Sequence, residues 1–427
     1  MTAPGPTVPG SWERVLPPRR VAASGVPDGS PTLVDALPLG AATSLAVLGD
    51  QAGRRYPVPL VAAPDGTRRA RAGDGGAADL VHLLTAGDRT AGRFRLRSWH
   101  RGRAGEERPL PVDQTNESVV VGEAVVKWMA IAEEGPHPAP SLLAELSRGG
   151  FTRMPRPWGC VEWVPAPADP GRLLALVVEH LDGAADGWTW VVEALRRAAE
   201  QDRPQAAAAT GTVVGGLVAD LHGALAHTAR PAAVDEAATW RSGGLADLDR
   251  ALAVSRGDAA RVLRDHEARA RSVLAAAPVD GGPVMRVHGD LHVGQVLRAD
   301  RGGATTHLLT DFDGNPVLPP AERARPQPAA VDVAGVLQSF THAGLVVLRH
   351  TPGLDPGAVD RATACAREAA GAAYRTGLAG HLDLLDERLL LPFAVRQVCR
   401  EFTYAATHLP RWSYVPEAAL PRLLAER

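Results

Sequence analysis

The spacing of hydrophobic positions changes near residue 183. Before it, short apolar runs and period-two alternation predominate; after it, apolar residues recur every three or four positions. Leu45 to Leu48, Tyr56 to Val61 and Arg68 to Arg71 are strand candidates, with Asp50, Gly53 and Pro64-Asp65-Gly66 as turns between them. The Gly- and Asp-rich stretch Ala72 to Asp79 predicts a loop. Residues 1–88 are therefore expected to form a small β-rich cap. Residues 89–182 are mixed. Arg93 to Trp99 alternates as a strand, and Ser118 to Met129 gives two strands about Gly122-Glu123. A helix is expected from Pro140, with Ser141 as its N-cap. Leu173 to Leu181 reads as a long apolar strand that ends at a candidate hinge, Asp182-Gly183.

From 184 the pattern is helical. Val213, Leu217, Leu221 and Leu225 form a stripe that Val218 widens. Trp240 to Ala277 predicts a charged helical stretch. Asp332 heads the apolar positions Val333, Val336, Leu337 and Phe340, as an acidic N-cap would. Breaks are expected near Pro352, Pro356 and Pro410. The expectation is an α+β fold with two lobes, in which residues 183–427 form a mostly helical C-lobe.

At 427 residues and 45% hydrophobic content the chain can bury two or three cores. A formal net charge of −2 recruits neither nucleic acid nor a membrane surface. No basic and apolar leader opens the chain, and no run of about 18 apolar residues stands out. Cys160, Cys365 and Cys399 lack metal-ligand spacing and read as reduced thiols of a cytoplasmic protein. A monomer without nucleic-acid or membrane partners is expected. The 46 basic residues include a single lysine, Lys127. That skew suits a GC-rich coding sequence, in which arginine replaces lysine wherever it serves. Lys127 lies in a strand-like run, where a compact ammonium differs in reach from a planar guanidinium.

Candidate chemistry concentrates in Val287-His-Gly-Asp290-Leu-His292-Val-Gly-Gln295 and Leu308-Leu-Thr-Asp311-Phe-Asp313-Gly314. These read as strand, tight loop, short strand and second acidic loop. Phosphoryl transfer from ATP uses a carboxylate to orient and deprotonate a hydroxyl, with an amide oxygen and a second carboxylate for Mg²⁺. Protein kinases assign these roles to H-R-D-x-x-x-x-N and D-F-G. Here the motifs are H-G-D-x-x-x-x-Q and D-F-D. A polar hairpin turn would explain either alone, but the pair, followed by helices, points to a phosphotransferase. Asp113 to Ser118 precedes Lys127 without a glycine pair, so Ser and Thr hydroxyls such as that of Ser118 stand in as phosphate donors. Near the C-terminus, Gln397, Arg400, Glu401, Tyr404 and His408 share one helix face. That mixture suits a sugar, with Trp412 able to stack on a pyranose. The competing reading gives Arg400 and Glu401 to structural ion pairs.

The run His-Gly-Asp-Leu-His-x-Gly-Gln, then Asp-Phe-Asp-Gly-x-Pro, then Asp332-Val-Ala-Gly-x-Leu-x-Ser-Phe340 resembles actinobacterial maltokinases, within the aminoglycoside-phosphotransferase-like kinases. Maltokinases usually carry Asp-Phe-Glu-Gly-Glu-Pro, where this chain has Asp311-Phe-Asp-Gly-Asn-Pro316. The segment from Gln397 to Trp412 resembles the related glucosamine kinases, which phosphorylate the 6-hydroxyl of D-glucosamine. The resemblance implies a bilobal kinase-like fold and the cofactors ATP and Mg²⁺. It makes Asp290 the catalytic base and gives Mg²⁺ to Gln295, Asp311 and Asp313. Lys127 would bind ATP phosphates with Glu145 as its helix partner, and Glu179 and His180 would meet adenine. A one-turn shift would put Ser141 in the place of Glu145. Asp290, His292, Gln397, Arg400, Glu401, Tyr404 and Trp412 would face the sugar, with Glu401 the counter-charge for the amine. Maltokinase, aminoglycoside phosphotransferase and non-catalytic nucleotide binder stay open as alternatives. The acidic residues expected for a polycationic aminoglycoside are limited to Asp383, Asp386 and Glu387.

Overall fold

The computed structural model describes residues 8–17, 25–64, 66–110, 117–280 and 282–425. It divides into two compact units, Met1–Asp182 with Pro316–Ala324, and Gly183–Asn315 with Arg325–Arg427. One break between the units lies between Asp182 and Gly183. The second unit is not the uninterrupted segment 183–427, because Pro316–Ala324 belongs to the first unit, where Arg323 pairs with Glu133.

The first unit holds two antiparallel sheets. One has four strands in sequential order: β1 (Thr32–Pro38), β2 (Thr43–Gly49), β3 (Arg55–Ala63) and β4 (Gly66–Arg69). The other runs β5 (Arg89–Ala91), β6 (Phe94–Ser98), β10 (Pro157–Trp163), β11 (Arg172–Glu179), β9 (Ala124–Trp128), β8 (Glu117–Val121) and β7 (Glu107–Pro109). Leu45, Val47, Leu80, Phe94, Val126 and Val177 pack in one core. That core crosses residue 88, so the β-rich cap shares its interior with the mixed segment. In β9, Ala124, Val126 and Trp128 are buried while Val125 and Lys127 are half-buried, as strand alternation requires. Gly122, with φ +57°, makes the tight β8–β9 turn and places Ser118 directly opposite Lys127.

Two helix starts differ from expectation. The helix α1 (Gly76–Thr85) begins inside the stretch expected to be a loop, and no local side chain caps it. Glu107, some thirty residues away, does so instead. Its carboxylate accepts from the backbone N–H groups of Gly73, Gly75, Ala77 and Ala78 at 2.7 to 3.0 Å. A distant carboxylate satisfies the orphan donors of the first turn and meets the positive end of the helix dipole. The helix α2 (Pro138–Arg148) starts before Ser141, with His137 as its N-cap and Pro138 in the first turn. Ser141 donates its hydroxyl to the carbonyl of Pro138 instead.

The second unit is built from helices α3 (Gly187–Glu200), α4 (Ala208–Leu225), α5 (Val234–Val254), α6 (Gly257–Ala275), α7 (Ala330–His350), α8 (Pro356–Gly377), α9 (Leu390–His408) and α10 (Tyr414–Ala425), with a short pair β12 (Arg230–Pro231) and β13 (Pro283–Val284). The helical stretch expected from Trp240 to Ala277 is carried by two helices, α5 and α6, parted at Ser255-Arg256, after which Gly257 takes φ +56°. The hairpin β14 (Val296–Arg301) and β15 (Ala304–Leu309) sits among them. By length and composition α7 would reach across a membrane. Most of it is buried in this unit, and it carries buried Asp332, Gln338 and His342, as a core helix with its own hydrogen-bond partners does.

Replacing Glu107 by alanine should lower the unfolding free energy by about 1–3 kcal/mol, the scale of a lost cap and charge-assisted hydrogen bonds. Urea denaturation measures it; an unchanged midpoint would mean that α1 starts without this carboxylate.

Candidate functional site

The site in the second unit is built around α7. Asp332 does not cap α7, whose N-cap is Ala329. It lies fully buried within the first turn and reaches across to the loop that carries Asp290. Its carboxylate accepts from the N–H of His288 at 2.7 Å and of Gly289 at 2.8 Å. His222 of α4 stands 3.1 Å from the same carboxylate through Nε2, and its Nδ1 is 2.8 Å from the hydroxyl of Tyr374 on α8. Burial alone would push Asp332 up; the bonds from His222 and the loop, with the His222 and His288 rings nearby, outweigh it and hold the carboxyl below its ordinary value. Val287 and His288 therefore lie outside any strand, contrary to the expected strand and turn.

Gly289, at φ +83°, turns the chain into Asp290 and sits beside the backbone of Gly314. His288 donates from Nε2 to the carbonyl of Thr310 at 2.9 Å, and the N–H of Thr310 donates to the carbonyl of Gln295 at 3.0 Å. The two acidic loops are thus tied together by one side-chain and one backbone bond. Asp311 is exposed and holds φ +64°, one of two non-glycine residues with positive φ among the described residues. Aspartate tolerates that conformation better than most residues, and it persists where surrounding structure enforces it.

Asp290 keeps an open edge, but burial of its surroundings pushes its carboxyl up to about 6; His288 and Arg400 oppose that shift, and Asp311 and Asp332 reinforce it. That suits a general base working near neutral pH. Burial and the neighbouring His288 lower His292 to about 4, so its ring is neutral. Its Nδ1 accepts from the N–H of Gly294 at 3.1 Å, which puts the one ring proton on Nε2. The Gln295 side-chain amide lies 3.3 Å from that Nε2. A donor there requires the amide oxygen to face it, and that oxygen keeps a second lone pair for a cation.

Trp188, at the start of α3, stacks on His292 with centroids 5.7 Å apart, and Trp412 meets Trp188 edge-on at 6.1 Å. On α9 the expected single face divides. Arg400 and Arg396 both place Nε 2.8 Å from one oxygen of Asp247 on α5. Gln397 donates to Glu401 Oε1 at 3.2 Å, and Glu401 Oε2 lies 3.1 Å from Nε2 of His342 on α7. Tyr404 is exposed and pairs with His408. The ion-pair reading thus describes Arg400, whose charge still reaches Asp290, while Glu401 meets a histidine. Sequence reasoning missed Asp247, His342, Trp188 and His222. None lies in a recognisable local motif, since each acts from another helix.

In the first unit, Glu179 ends β11 and accepts from the N–H of Arg156 at 2.9 Å. His180 donates its N–H to the carbonyl of Glu123 at 2.7 Å. Glu145 lies near the end of α2. Of the expected phosphate segment, Asp113 to Asn116 lie outside the described residues.

Gln295, Asp311 and Asp313 offer an amide and two carboxylates. These hard oxygen donors suit Mg²⁺ completed by phosphate and water. Among the described residues no group of three or more His, Cys, Asp or Glu forms a closed metal cage.

No protein-family model matches the chain. It is 44% identical over 402 residues to the glucosamine kinase of Mycolicibacterium smegmatis, an alignment spanning 92% of this chain and 98% of that protein. It is 43% identical over 410 residues to the glucosamine kinase of Streptacidiphilus jiangxiensis, spanning 93% and 92%. A solved glucosamine kinase in complex with glucosamine, ADP and inorganic phosphate superimposes with a TM-score of 0.79 at 39% identity, covering 98% of this chain and 100% of that one.

With Asp290 as base, kcat/KM should fall as pH drops through about 6, because only the ionised carboxylate accepts the proton. Asp290→Asn should abolish that limb and lower kcat by roughly a hundred- to ten-thousand-fold. A variant with near-wild-type turnover would remove Asp290 from the reaction.

Proposed function

The chain belongs to the glucosamine kinase family, and on that premise we propose that it transfers the γ-phosphoryl group of ATP to the 6-hydroxyl of D-glucosamine. The sugar oxygen attacks the γ-phosphorus, the bond to the β–γ bridging oxygen breaks, and the hydroxyl proton passes to Asp290. Its raised carboxyl, fixed through the Asp332 bonds to His288 and Gly289, makes Asp290 both a competent acceptor and a well-placed one. Gln295, Asp311 and Asp313 would hold Mg²⁺, which when bound neutralises charge on the phosphates. Lys127 and Ser118, opposite each other on β9 and β8, would meet ATP phosphates. Glu145 remains the proposed partner of Lys127, and Glu179 and His180 the proposed adenine contacts.

The observation that carries the choice of sugar is Glu401. It lies on a helix beside Gln397, half-buried, and a carboxylate in that position demands a cation or several donors. Glucosamine brings an ammonium; maltose, glucose and N-acetylglucosamine do not. We place the working enzyme in the cytoplasm as a monomer, a reading supported by its ATP use and by three cysteines that form no disulfide.

Steady-state kinetics with ATP, Mg²⁺ and a sugar panel test the proposal. Glucosamine should give the highest kcat/KM. Glu401→Gln should cut it by about ten- to a hundred-fold more for glucosamine than for glucose, the scale of a charge-assisted hydrogen bond. A wild-type preference for maltose would overturn the assignment, and equal losses on both sugars would leave Glu401 shaping the pocket without reading the amine.

A further inference from the structure

The seven-stranded sheet of the first unit changes character at β6. A cross-strand row runs from Lys127 on β9 through Leu176 on β11 and Cys160 on β10 to Arg97 on β6. Residues directly opposite each other share a face of the sheet, so all four point the same way. Leu176 and Cys160 are buried, and α2 packs on β10. At β6 the row turns cationic, with Arg97 and, two residues back on the same face, Arg95. Yet β6 is an interior strand, paired with β5 on one side and β10 on the other. Here the face opens into a cavity of about 1020 Å³. Arg95 and Arg97 line it from β6, Arg89 from β5 and Arg148 from the last turn of α2.

Arginine is the usual basic residue of this chain, so its presence alone says little; how the four are paired says more. Glu162, buried on β10 opposite Arg95, serves two of them. One of its carboxylate oxygens lies 2.9 Å from Arg97 Nε and 3.8 Å from a terminal nitrogen of Arg95. Asp88, the other carboxylate at the cavity, gives an oxygen to the N–H of Ser98 at 2.7 Å. Arg89 and Arg148 make no ion pair among the described residues. Four guanidiniums thus face two carboxylates, in a chain whose formal net charge is −2. The positive excess is local, and a concave wall concentrates its field. Trp99, half-buried, lines the same cavity. A concave site with charge at one place and a ring at another suits a small molecule with an anionic end and a body that stacks.

The charge excess narrows the class of ligand. A phosphate monoester carries about −1.5 to −2 on one group at neutral pH, with three acceptor oxygens. Several guanidinium forks can bond it at once, each through two parallel N–H groups. A dicarboxylate divides the same charge between two separated groups. We propose that the cavity between β6 and the end of α2 binds a phosphate monoester, with its phosphate on the arginines and its body against Trp99. The site is distinct from that of phosphoryl transfer. Lys127 stands three strands along the sheet from Arg97, roughly 14 Å at the usual strand spacing, and buried Leu176 and Cys160 fill the row between them. Nothing in this site depends on which sugar is phosphorylated.

Calorimetric titration tests this on the full chain saturated with Mg-ADP and its acceptor sugar, so that the reaction site is occupied. The probes are glucose 6-phosphate, AMP, inorganic phosphate and malate. At least one of the two esters should bind one to one, about ten-fold or more tighter than malate or inorganic phosphate, and should weaken as salt is raised. Tighter binding of glucose 6-phosphate makes a sugar ester the source of the phosphate; tighter binding of AMP makes it a nucleotide. Arg89→Gln combined with Arg148→Gln should weaken the ester about ten-fold or more without lowering the melting temperature, since neither guanidinium pairs with a carboxylate in the fold. If that double variant melts early, Arg148→Gln alone replaces it, with the same direction expected. No binding of either ester, malate or inorganic phosphate binding as tightly as the better ester, or an affinity unchanged in the arginine variant would each overturn the site.

Discussion

The arrangement of the second unit depends on one buried carboxylate. Asp332 leaves its own helix and spends both oxygens on the backbone of the loop before Asp290. A loop with a left-handed glycine has no ladder to satisfy its N–H groups, and a buried anion satisfies two of them at once. The cost of burying that anion is offset by His222, which Tyr374 in turn orients. Four elements, α4, α7, α8 and the loop, therefore meet at one group. From it the order passes outward through His288 to Thr310 and on to Gln295, so the loops that carry Asp290, Gln295 and Asp311 share a single frame. Asp311, held at positive φ, and Gly314, beside Gly289, belong to that frame.

Around this frame the ionisable groups are driven apart. Burial raises Asp290 and lowers His292, so neighbouring residues in one motif end as a receptive carboxylate and a neutral, hydrogen-bonded ring.

Much of this was legible in the sequence where chemistry and periodicity are local. The period change near Gly183 marked the boundary between units, β9 alternates about Lys127 as expected, and the two acidic motifs fall on linked loops. The errors share one cause. The start of α1 was read as loop because its cap, Glu107, comes from another strand. Ser141 looked like a cap, but Pro138 and His137 set the true start of α2. Asp332 resembled an N-cap because acidic residues gather at helix starts; its distant partners, two N–H groups and a histidine, are invisible to local patterning. Helical spacing placed Arg400 and Glu401 on one face. It did not show that Asp247 and His342, on different helices, divide them. Sequence thus located the chemistry, while pairings over long separations decided how it is held.

The most direct test of this account is kcat for Asp332→Asn, measured beside glucosamine binding by calorimetry. An asparagine side chain keeps the shape but has one acceptor oxygen, so its NH₂ faces a backbone N–H and the loop must shift. The account gives a fall in kcat of about a hundred-fold, the scale of a misplaced catalytic group, with glucosamine binding retained. Wild-type turnover by a folded Asp332→Asn protein would contradict it, because the position of Asp290 would then not depend on the carboxylate beneath it.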